Sequence, residues 1–548
     1  MRVLGINALF HDPAAALVVD GVTVAAAEEE RFSRRKHGKR PVPFAAWELP
    51  EQAARWCLHQ GGLGAADLDA VAYSYDPALA DSAEALGLSD PWDWLRQEYA
   101  LRAPSFLASA LPGLDPGRVR NVPHHVAHAA SAGLAAPTVG EDTAVLVLDG
   151  RGESASHLAG VYRGGQLEVL ATQRLPHSLG LLYEEATDHL GFLRSSDEFK
   201  VMALASYGTP RHLDLFREAV VADGGGGFRT HAIDWDVLCP RREPDDTEWS
   251  AEHADVAASL QRRLEEVLVE LARWLHDASG GQPRLAMAGG VALNCVANAH
   301  LAANGPFDSV WVQPAAGDAG TALGAALHVA AVDGDPVQSM PGADLGPDYA
   351  EHELEQVLRQ ARVPYRRPDS VAHVAAVVLA RDGVVAWFQG RGEYGPRALG
   401  RRSLLAHPGH THNIERLNQV KGREQFRPVA PMVLADRAAE IFDGVLPSPY
   451  MLFTHAVRPA WRDRIPAVVH VDGTARIQTV DRDYEPLLAG MLADFEARTG
   501  LPVVVNTSLN TAGRPMVQSP RDALELYGSA PVDLLVLGPF VVARGDDG

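Results

Sequence analysis

Cysteine is scarce in this chain: three residues in 548, Cys57, Cys239 and Cys295, with no paired spacing among them. That excludes a disulfide framework and a cysteine-built metal site, and it points to a reducing compartment. Long apolar runs are missing as well. No stretch reaches the roughly 18 residues of a membrane span, although 47% of the residues are hydrophobic, ample for internal cores. Positive charge is in deficit, with 49 Lys and Arg against 70 Asp and Glu and a net charge of −21. A surface of that sign argues against nucleic acid or an anionic membrane as a partner. The N-terminus lacks a signal-peptide pattern, because Met1-Arg-Val-Leu-Gly-Ile-Asn7 runs straight into a strand and acids begin by Asp12. These absences predict a cytoplasmic protein of two or three domains.

Histidine, by contrast, is concentrated where it can act. In Asn121-Val-Pro-His-His-Val-Ala-His-Ala-Ala-Ser-Ala132, His124 and His128 stand four apart in an alanine-rich run. On a helix they project from one face, a spacing at which two imidazoles close on one metal ion. His125 points elsewhere. Spacing alone does not separate such a pair from two ordinary helix histidines. Two aspartates add to it: Asp149 ends the buried-strand pattern Thr143 to Leu148, and Asp318 follows the strand Val310 to Val312 at the mouth of a helix. Taken singly, each reads as a turn residue or an N-cap. Taken together, two imidazoles and two carboxylates suit iron(II), zinc or manganese better than calcium.

An internal repeat sets the expected architecture. Val3 to Asn7 is a strand followed by a hairpin, Ala14 to Val19 and Val22 to Ala27, joined by Asp20-Gly21. Ala144 to Leu148 is followed in the same way by Leu158 to Tyr162 and Leu167 to Ala171, joined across Gly164-Gly165. Asp-Gly and Gly-Gly between strand-like runs are strong hairpin signals. The pattern predicts an α/β fold duplicated as in the actin, sugar-kinase and chaperone-ATPase superfold, with the two first turns facing each other. A further element, Leu285 to Ala288 running into Gly289-Gly290 and a helix beyond Asn294, offers close backbone approach to a phosphate or ribose. Residues 220–255 read as a surface insertion with little core, and 333–349 as a Gly/Pro/Asp linker between domains 1–345 and 346–548.

The second domain opens with a helix near Glu351–Ala361 and a strand at Val384–Phe388. Between Arg391 and Arg427 it reverses the local charge: eight basic residues stand against three acids. Arginine forks there suit phosphate or carbonyl oxygens, with a solvated basic face as the bland alternative. Further on, Leu501-Pro-Val-Val-Val-Asn506-Thr-Ser508-Leu-Asn510 breaks from a strand into amides and hydroxyls that suit a small polar planar group. An ordinary Asn/Ser turn would read the same way.

These segments together resemble the O-carbamoyltransferase family that decorates antibiotics and nodulation factors, and the aminoglycoside-modifying members in particular. The likeness runs nearly end to end. It takes in the Asn7…His11-Asp12 loop, Glu28 to Phe32, Lys36-His37-Gly38, the His124…His128 helix, Asp149-Gly150-Arg151-Gly152 and Ser178-Leu179-Gly180. It continues through Gly289 to Asn294, Asp318, Gly395-Pro396-Arg397, Lys421…Arg427, Arg476 and Asn506 to Asn510.

The resemblance implies two active sites. The C-terminal domain is similar to threonylcarbamoyl-adenylate synthases. By that likeness, carbamoyl phosphate yields carbamate, which reacts with ATP to give carbamoyl-adenylate and pyrophosphate on Arg397, Lys421, Arg427, Arg476, Asn506 and Ser508. The N-terminal domain is similar to a tRNA threonylcarbamoyl transferase. It would hold iron(II), with zinc or manganese as alternatives, through His124, His128, Asp149 and Asp318. The adenylate would lie against Asp149, Gly150, Gly180, Gly290 and Asn294, and the carbamoyl group would pass to a hydroxyl of a small natural product. His11 carries over as general base, and Lys36, Arg397 and Ser508 as further catalytic groups. The acceptor stays open, since the Asn7–His11 loop looks short and residues 76–118 and 209–255 look particular to this chain. A homodimer is compatible with the resemblance. A sugar kinase of the same superfold, which would yield ADP, and an ATP-driven binding module are the rival readings.

Overall fold

The computed structural model describes residues 1–38, 48–244, 246, 248–511 and 513–544. Residues 245 and 247 of the expected insertion and 545–548 of the expected second domain lie outside the described residues. The chain divides into two compact units, Met1–Gly342 and Ala343–Gly548.

The first unit holds two five-stranded sheets with one plan. In the first, β1 (Arg2–Asn7), β2 (Ala14–Val19), β3 (Val22–Glu28), β4 (Ala70–Tyr73) and β5 (Val119–Asn121) lie in the order β3-β2-β1-β4-β5. The second has β6 (Thr143–Leu148), β7 (Ala155–Arg163) and β8 (Gln166–Arg174). After a small ribbon of β9 (Val220–Ala222) and β10 (Phe228–Thr230) come β11 (Arg284–Ala288) and β12 (Ser309–Val312). Its order is β12-β11-β6-β7-β8. In both sheets the first three strands are antiparallel and the last two run parallel to the first. Equal order and equal direction establish the duplication, the layout of the actin and sugar-kinase superfold. Both hairpin turns take positive φ at their two central residues, 51° and 78° at Asp20-Gly21 and 56° and 79° at Gly164-Gly165. That is the turn whose twist matches the flanking strands.

Small residues bring the helices of this unit close. The helix Ala319–Val332 packs on β1, on β2 and on the helix His124–Gly133, which in turn packs on β6 and β11. A Cβ on Gly324 would stand 1.8 Å from the Ala127 carbonyl oxygen, and one on Gly5 equally close to that of Ala322. The alanine-rich composition of both helices is thus a packing requirement, and it fixes the distance between the histidine helix and the Asp318 helix.

One expectation needs correction. Residues 220–255 are not a bare insertion: Phe228 and Val220 are core residues. Arg242, buried, donates to the carbonyls of Leu190, Asp246 and Glu248. The helix Ala251–Ala278 also begins inside that stretch. The 333–349 segment, the expected linker, contains the boundary between the units and is anchored by hydrogen bonds. Asp335 pairs with the N-terminal ammonium at 2.7 Å and Gln338 N–H donates to Gly21 O, while Leu345, Gly346 and Pro347 accept from arginines of the second unit. Hydrogen bonds overrode a Gly/Pro composition that reads as flexible.

The second unit is built on one mixed seven-stranded sheet. Its strands are β13 (Val385–Phe388), β14 (Arg402–Ala406), β15 (Ala430–Leu434), β19 (Gln478–Val480), β20 (Val503–Ser508), β21 (Leu534–Leu537) and β22 (Phe540–Ala543). Their order is β19-β15-β20-β14-β13-β21-β22. A small sheet of β16 (Phe442–Asp443), β17 (His455–Val457) and β18 (Thr474–Ala475) lies outside it. Strand β20 runs antiparallel between β14 and β15. Its apolar run Val503 to Val505 is fully buried, as expected of an interior strand. The strand ends at Asn506 to Ser508, and there the polar residues gather.

Candidate functional site

The histidine helix starts immediately after Pro123, and its first N–H groups need acceptors. The buried carboxylate of Glu153 supplies one, accepting from His124 N at 2.8 Å. His124 Nδ1 lies 3.2 Å from the Ser74 carbonyl oxygen, which fixes Nδ1–H and leaves the Nε2 lone pair pointing inward. That Nε2 is 3.6 Å from Asp149 Oδ2 and 3.6 Å from Asp318 Oδ1, and His128 Nε2 is 4.0 and 3.6 Å from the same two oxygens. The ligand atoms of the four side chains all lie within 4.8 Å of one another. Asp149 arrives from the end of β6, its other oxygen held by Gly290 N at 2.9 Å, and Asp318 arrives from the helix start at Ala319.

These separations exceed hydrogen bonds. His124 Nε2, both nitrogens of His128 and Asp318 Oδ1 are buried without a hydrogen-bond partner. Leaving such atoms unsatisfied is costly, so their convergence fits a bound cation. Charge agrees. Burial alone would raise Asp149, yet His124 and His128 hold it well below the usual carboxylate range; for Asp318, His11 overcomes burial and brings it down to about 2. Burial works to lower His124, and the two carboxylates outweigh it and lift His124 well above an ordinary histidine. His125 is pushed down to about 3 by burial and by the neighbouring His124, and packs against Gly152 as a neutral ring.

His11 lies at the edge of this cluster, its Nε2 3.6 Å from Asp318 Oδ2. Its Nδ1 is 2.8 Å from Asp12 Oδ2, while Asp12 Oδ1 meets His37 Nδ1 at 2.6 Å. Asp12, kept ionised against burial by His37 and His11, therefore bridges two imidazoles. Asp12, Glu30 and His37 form a second group with metal-ligand spacing. Here the carboxylates are already engaged, Glu30 accepting His37 N at 2.9 Å and Asp12 meeting both imidazoles, while His37 Nε2 is buried without a hydrogen-bond partner. Lys36 sits beside His37 in a single helical turn.

The glycine turns border the centre. A Cβ on Gly180 would come within 2.7 Å of Gly150 Cα, and one on Gly289, at φ 94°, within 2.1 Å of the Leu148 carbonyl oxygen. Gly150, Gly180 and Gly290 therefore form a closely packed rim around Asp149. Asn294 has a structural task. It caps the helix Cys295–Asn304 through Ala297 N and exchanges hydrogen bonds with Gln261, which also binds Tyr183 and Glu265.

In the second unit the structure sorts the basic run into two kinds. Arg391 and Arg402 donate to backbone carbonyls, Arg401 pairs with Asp344 and Glu485, and Arg416 pairs with Asp533. These hold the fold. Lys421, at the C-terminal end of the helix His412–Lys421, donates to Ser508 O at 2.5 Å, to Ser508 Oγ at 2.8 Å and to Asn510 Oδ1. Ser508 Oγ donates in turn to Asn510. Arg423 is pulled down to about 9 by burial and by the charges of Arg427 and Arg476, which marks three guanidinium groups crowded together. Arg476 Nε is buried without a hydrogen-bond partner. Asn506 uses its amide N–H groups on Ala398 O and Gln478 Oε1, fixing the residue next to Arg397, and its Oδ1 has no hydrogen-bond partner. Arg423 is the one basic residue of this cluster that the sequence did not single out. Only its place beside Arg427 and Arg476 distinguishes it, and Arg476 is distant in sequence.

A duplicated actin-type fold carrying a two-histidine, two-aspartate centre, followed by an α/β unit with a cationic cluster, defines a class of two-part group-transfer proteins. The comparisons agree. A family model described as carbamoyltransferase N-terminus matches residues 2–106 and 97–327, and one described as carbamoyltransferase C-terminus matches 376–544. The chain belongs to the carbamoyltransferase family, and its activity is the transfer of a carbamoyl group. It is 38% identical to nodulation protein NolNO of Sinorhizobium fredii over 98% of this chain and 80% of that protein. To nodulation protein NolO of Bradyrhizobium diazoefficiens it is 40% identical over 77% of this chain and 78% of the other. An uncharacterised Synechocystis protein is 36% identical over 99% and 97%. Among the described residues no helix is long and apolar enough to cross a membrane.

Proposed function

We propose that this chain is an ATP-dependent O-carbamoyltransferase working in two stages. In the second unit water cleaves carbamoyl phosphate to carbamate and inorganic phosphate, and a carbamate oxygen attacks the α-phosphorus of ATP, displacing pyrophosphate to form carbamoyl-adenylate. Arg397, Lys421, Arg427 and Arg476 neutralise phosphate charge as these bonds are exchanged, and Ser508 and Asn506 orient the carbamoyl group. Arg423 adds to the same field. In the first unit the carbamoyl group leaves AMP for the hydroxyl of a small natural product, an antibiotic or its sugar.

His124, His128, Asp149 and Asp318 would hold a metal ion, for which iron(II) fits the donor set and zinc or manganese are the alternatives. Bound there, the ion supplies Lewis-acid polarisation and phosphate charge neutralisation. The chain's own groups do the rest. The rim of Gly150, Gly180 and Gly290 gives the adenylate backbone-close access beside Asp149. Asp12 holds His11 through Nδ1, so that Nε2 takes the proton of the acceptor hydroxyl. Lys36 lies beside that relay. The cysteines at 57, 239 and 295 are buried thiols, which fits a cytoplasmic setting.

The observation that carries this reading is the pair of clusters with opposite demands, orphaned ligands in one unit and crowded cations in the other. It is tested by incubating the protein with ATP, carbamoyl phosphate and a panel of hydroxylated natural products. Mass spectrometry should find an acceptor heavier by one carbamoyl group, with AMP and pyrophosphate released. Formation of ADP and a phosphorylated acceptor would overturn it.

A further inference from the structure

The tripeptide Ser74-Tyr75-Asp76, leaving the end of β4, is not used by the mechanism above, yet it bonds to His124 and to residues beside His11, Asp149 and Asp318. The Ser74 carbonyl oxygen lies 3.2 Å from His124 Nδ1. Ser74 Oγ donates to Asn7 Oδ1 at 3.3 Å, and the Asn7 amide donates to the His11 and Asp12 carbonyls, both at 2.9 Å. The Thr321 hydroxyl stands 2.9 Å from Ser74 Oγ and 2.6 Å from the Asp318 carbonyl oxygen. Tyr75 meets the Phe10 ring edge-on at 5.8 Å. Asp76 N donates to Glu153 Oε1 at 2.9 Å, the same oxygen that accepts from His124 N. Ser74 and Tyr75 are buried, so these bonds have no water to compete with them.

We infer that Ser74–Asp76 is a positioning strap that sets His124, the His11 turn and the Asp318 helix in register with one another. The physical reason is economy of error. Three elements distant in sequence must place their ligand atoms within a few tenths of an ångström, and each is referred by a hydrogen bond to one residue, Ser74, through its carbonyl or its hydroxyl. Glu153 closes the frame by tying the strap to the turn that carries Asp149. The strap also leads directly into residues 76–118, whose Asp90 is bonded to Arg151 of that same turn at 2.8 Å. A displacement of this outer segment is therefore passed to the metal ligands. Ser74 and Glu153 are positioning residues and touch no reacting atom.

The inference rests on the proposal that the four-residue cluster holds a metal, and the test separates the two. Iron(II) affinity of the full chain is measured anaerobically by chelator competition, with circular dichroism as a folding control. Ser74→Ala and Glu153→Ala should each weaken iron(II) binding about 10–100-fold, the usual worth of an outer partner. Glu153→Gln keeps a carbonyl acceptor and should recover most of that loss, which also serves if Ser74→Ala does not fold. Thr187→Val, which removes a buried hydroxyl bonded only within its own helix to Tyr183 O, should leave the affinity unchanged. Wild-type uptake of iron with unaltered affinity in folded Glu153→Ala would overturn the strap alone, as would an equal loss in Thr187→Val. Failure of the wild-type chain to take up iron(II), zinc or manganese would take down the metal proposal and the strap with it.

Discussion

In the first unit the candidate centre is assembled from carboxylates and imidazoles buried inside the fold. In the second it is assembled from guanidinium and ammonium groups near a strand end. Asp149 and Asp318 are kept ionised against burial by neighbouring histidines, while Arg423 is pulled down to about 9 by burial and by Arg427 and Arg476. A site that keeps carboxylates charged in the dark of a core awaits a cation. A site in which cations depress one another's affinity for protons awaits an anion. The pairing is what activation followed by transfer requires: phosphate chemistry in one place, acyl chemistry beside a Lewis acid in the other. The comparison can be broken by removing one charge set at a time.

The largest effect should follow from loss of a ligand in the first unit. His128→Ala and Asp318→Ala are each expected to cut bound metal sharply from about one ion per chain, because losing one of four donors weakens the hold on a divalent ion and leaves the others less well compensated. Acceptor carbamoylation should fall with it, while carbamoyl-phosphate-dependent pyrophosphate release continues. Elemental analysis and a pyrophosphate assay on the same preparation decide this, and full metal content in both variants would remove the assignment. The mirror experiment follows. Arg427→Ala and Ser508→Ala should lower pyrophosphate release about 10²–10³-fold, as deletion of a charge-stabilising group does, and leave the metal content intact. Unchanged release in both would move activation elsewhere.

Local patterns made the first site legible and concealed part of the second. The repeated hairpins were legible because Asp20-Gly21 and Gly164-Gly165 are short-range signals of turn geometry, and the duplicated α/β fold followed from them. The histidine pair rests on a four-residue spacing that a helix converts directly into proximity. Ser74 and Glu153 gave no signal, because their value lies in bonds to residues far away in the chain. In the basic run, composition could not tell Arg402, which is buried against Phe388 and backbone carbonyls, from Arg427. The insertion was misread for the converse reason: glycine and proline signal loops, but partners such as Leu190 decide whether a loop is anchored.

A smaller effect sharpens the division between the stages. His11→Asn should slow acceptor carbamoylation about 10²–10⁴-fold, the usual worth of general base catalysis, with pyrophosphate release nearly intact. Supplying preformed carbamoyl-adenylate should rescue Arg427→Ala, whose missing step is bypassed, and should not rescue His11→Asn. Equal rescue would make His11 a turn residue, and rescue of neither would mean that the stages are not separable.

The smallest predicted effect concerns pH, and it too differs between the units. Glu485 in the second unit is pushed up to about 7, first by burial and then by Asp344 and Glu393, over the opposing charge of Arg401 at 2.6 Å. An unfolded glutamate loses its proton near 4.5. Between those values the folded chain retains a proton that the unfolded chain has released, so this group's contribution to stability is complete below 4.5 and disappears as pH rises through 7. Asp318 behaves in the opposite sense: its stabilisation is present above 3.8 and is lost as pH falls through about 2. Glutamine at 485 keeps an acceptor for Arg401 and does not titrate. Glu485→Gln should therefore match the wild-type chain at pH 5 and exceed it at pH 8, by about 1–3 kcal/mol or a few degrees of melting temperature. Calorimetric scans of both proteins from pH 5 to 8 give the difference directly, which cancels every other titrating group. Parallel curves would show that Glu485 is ionised throughout, held by Arg401, and the contrast drawn between the carboxylates of the two units would not stand.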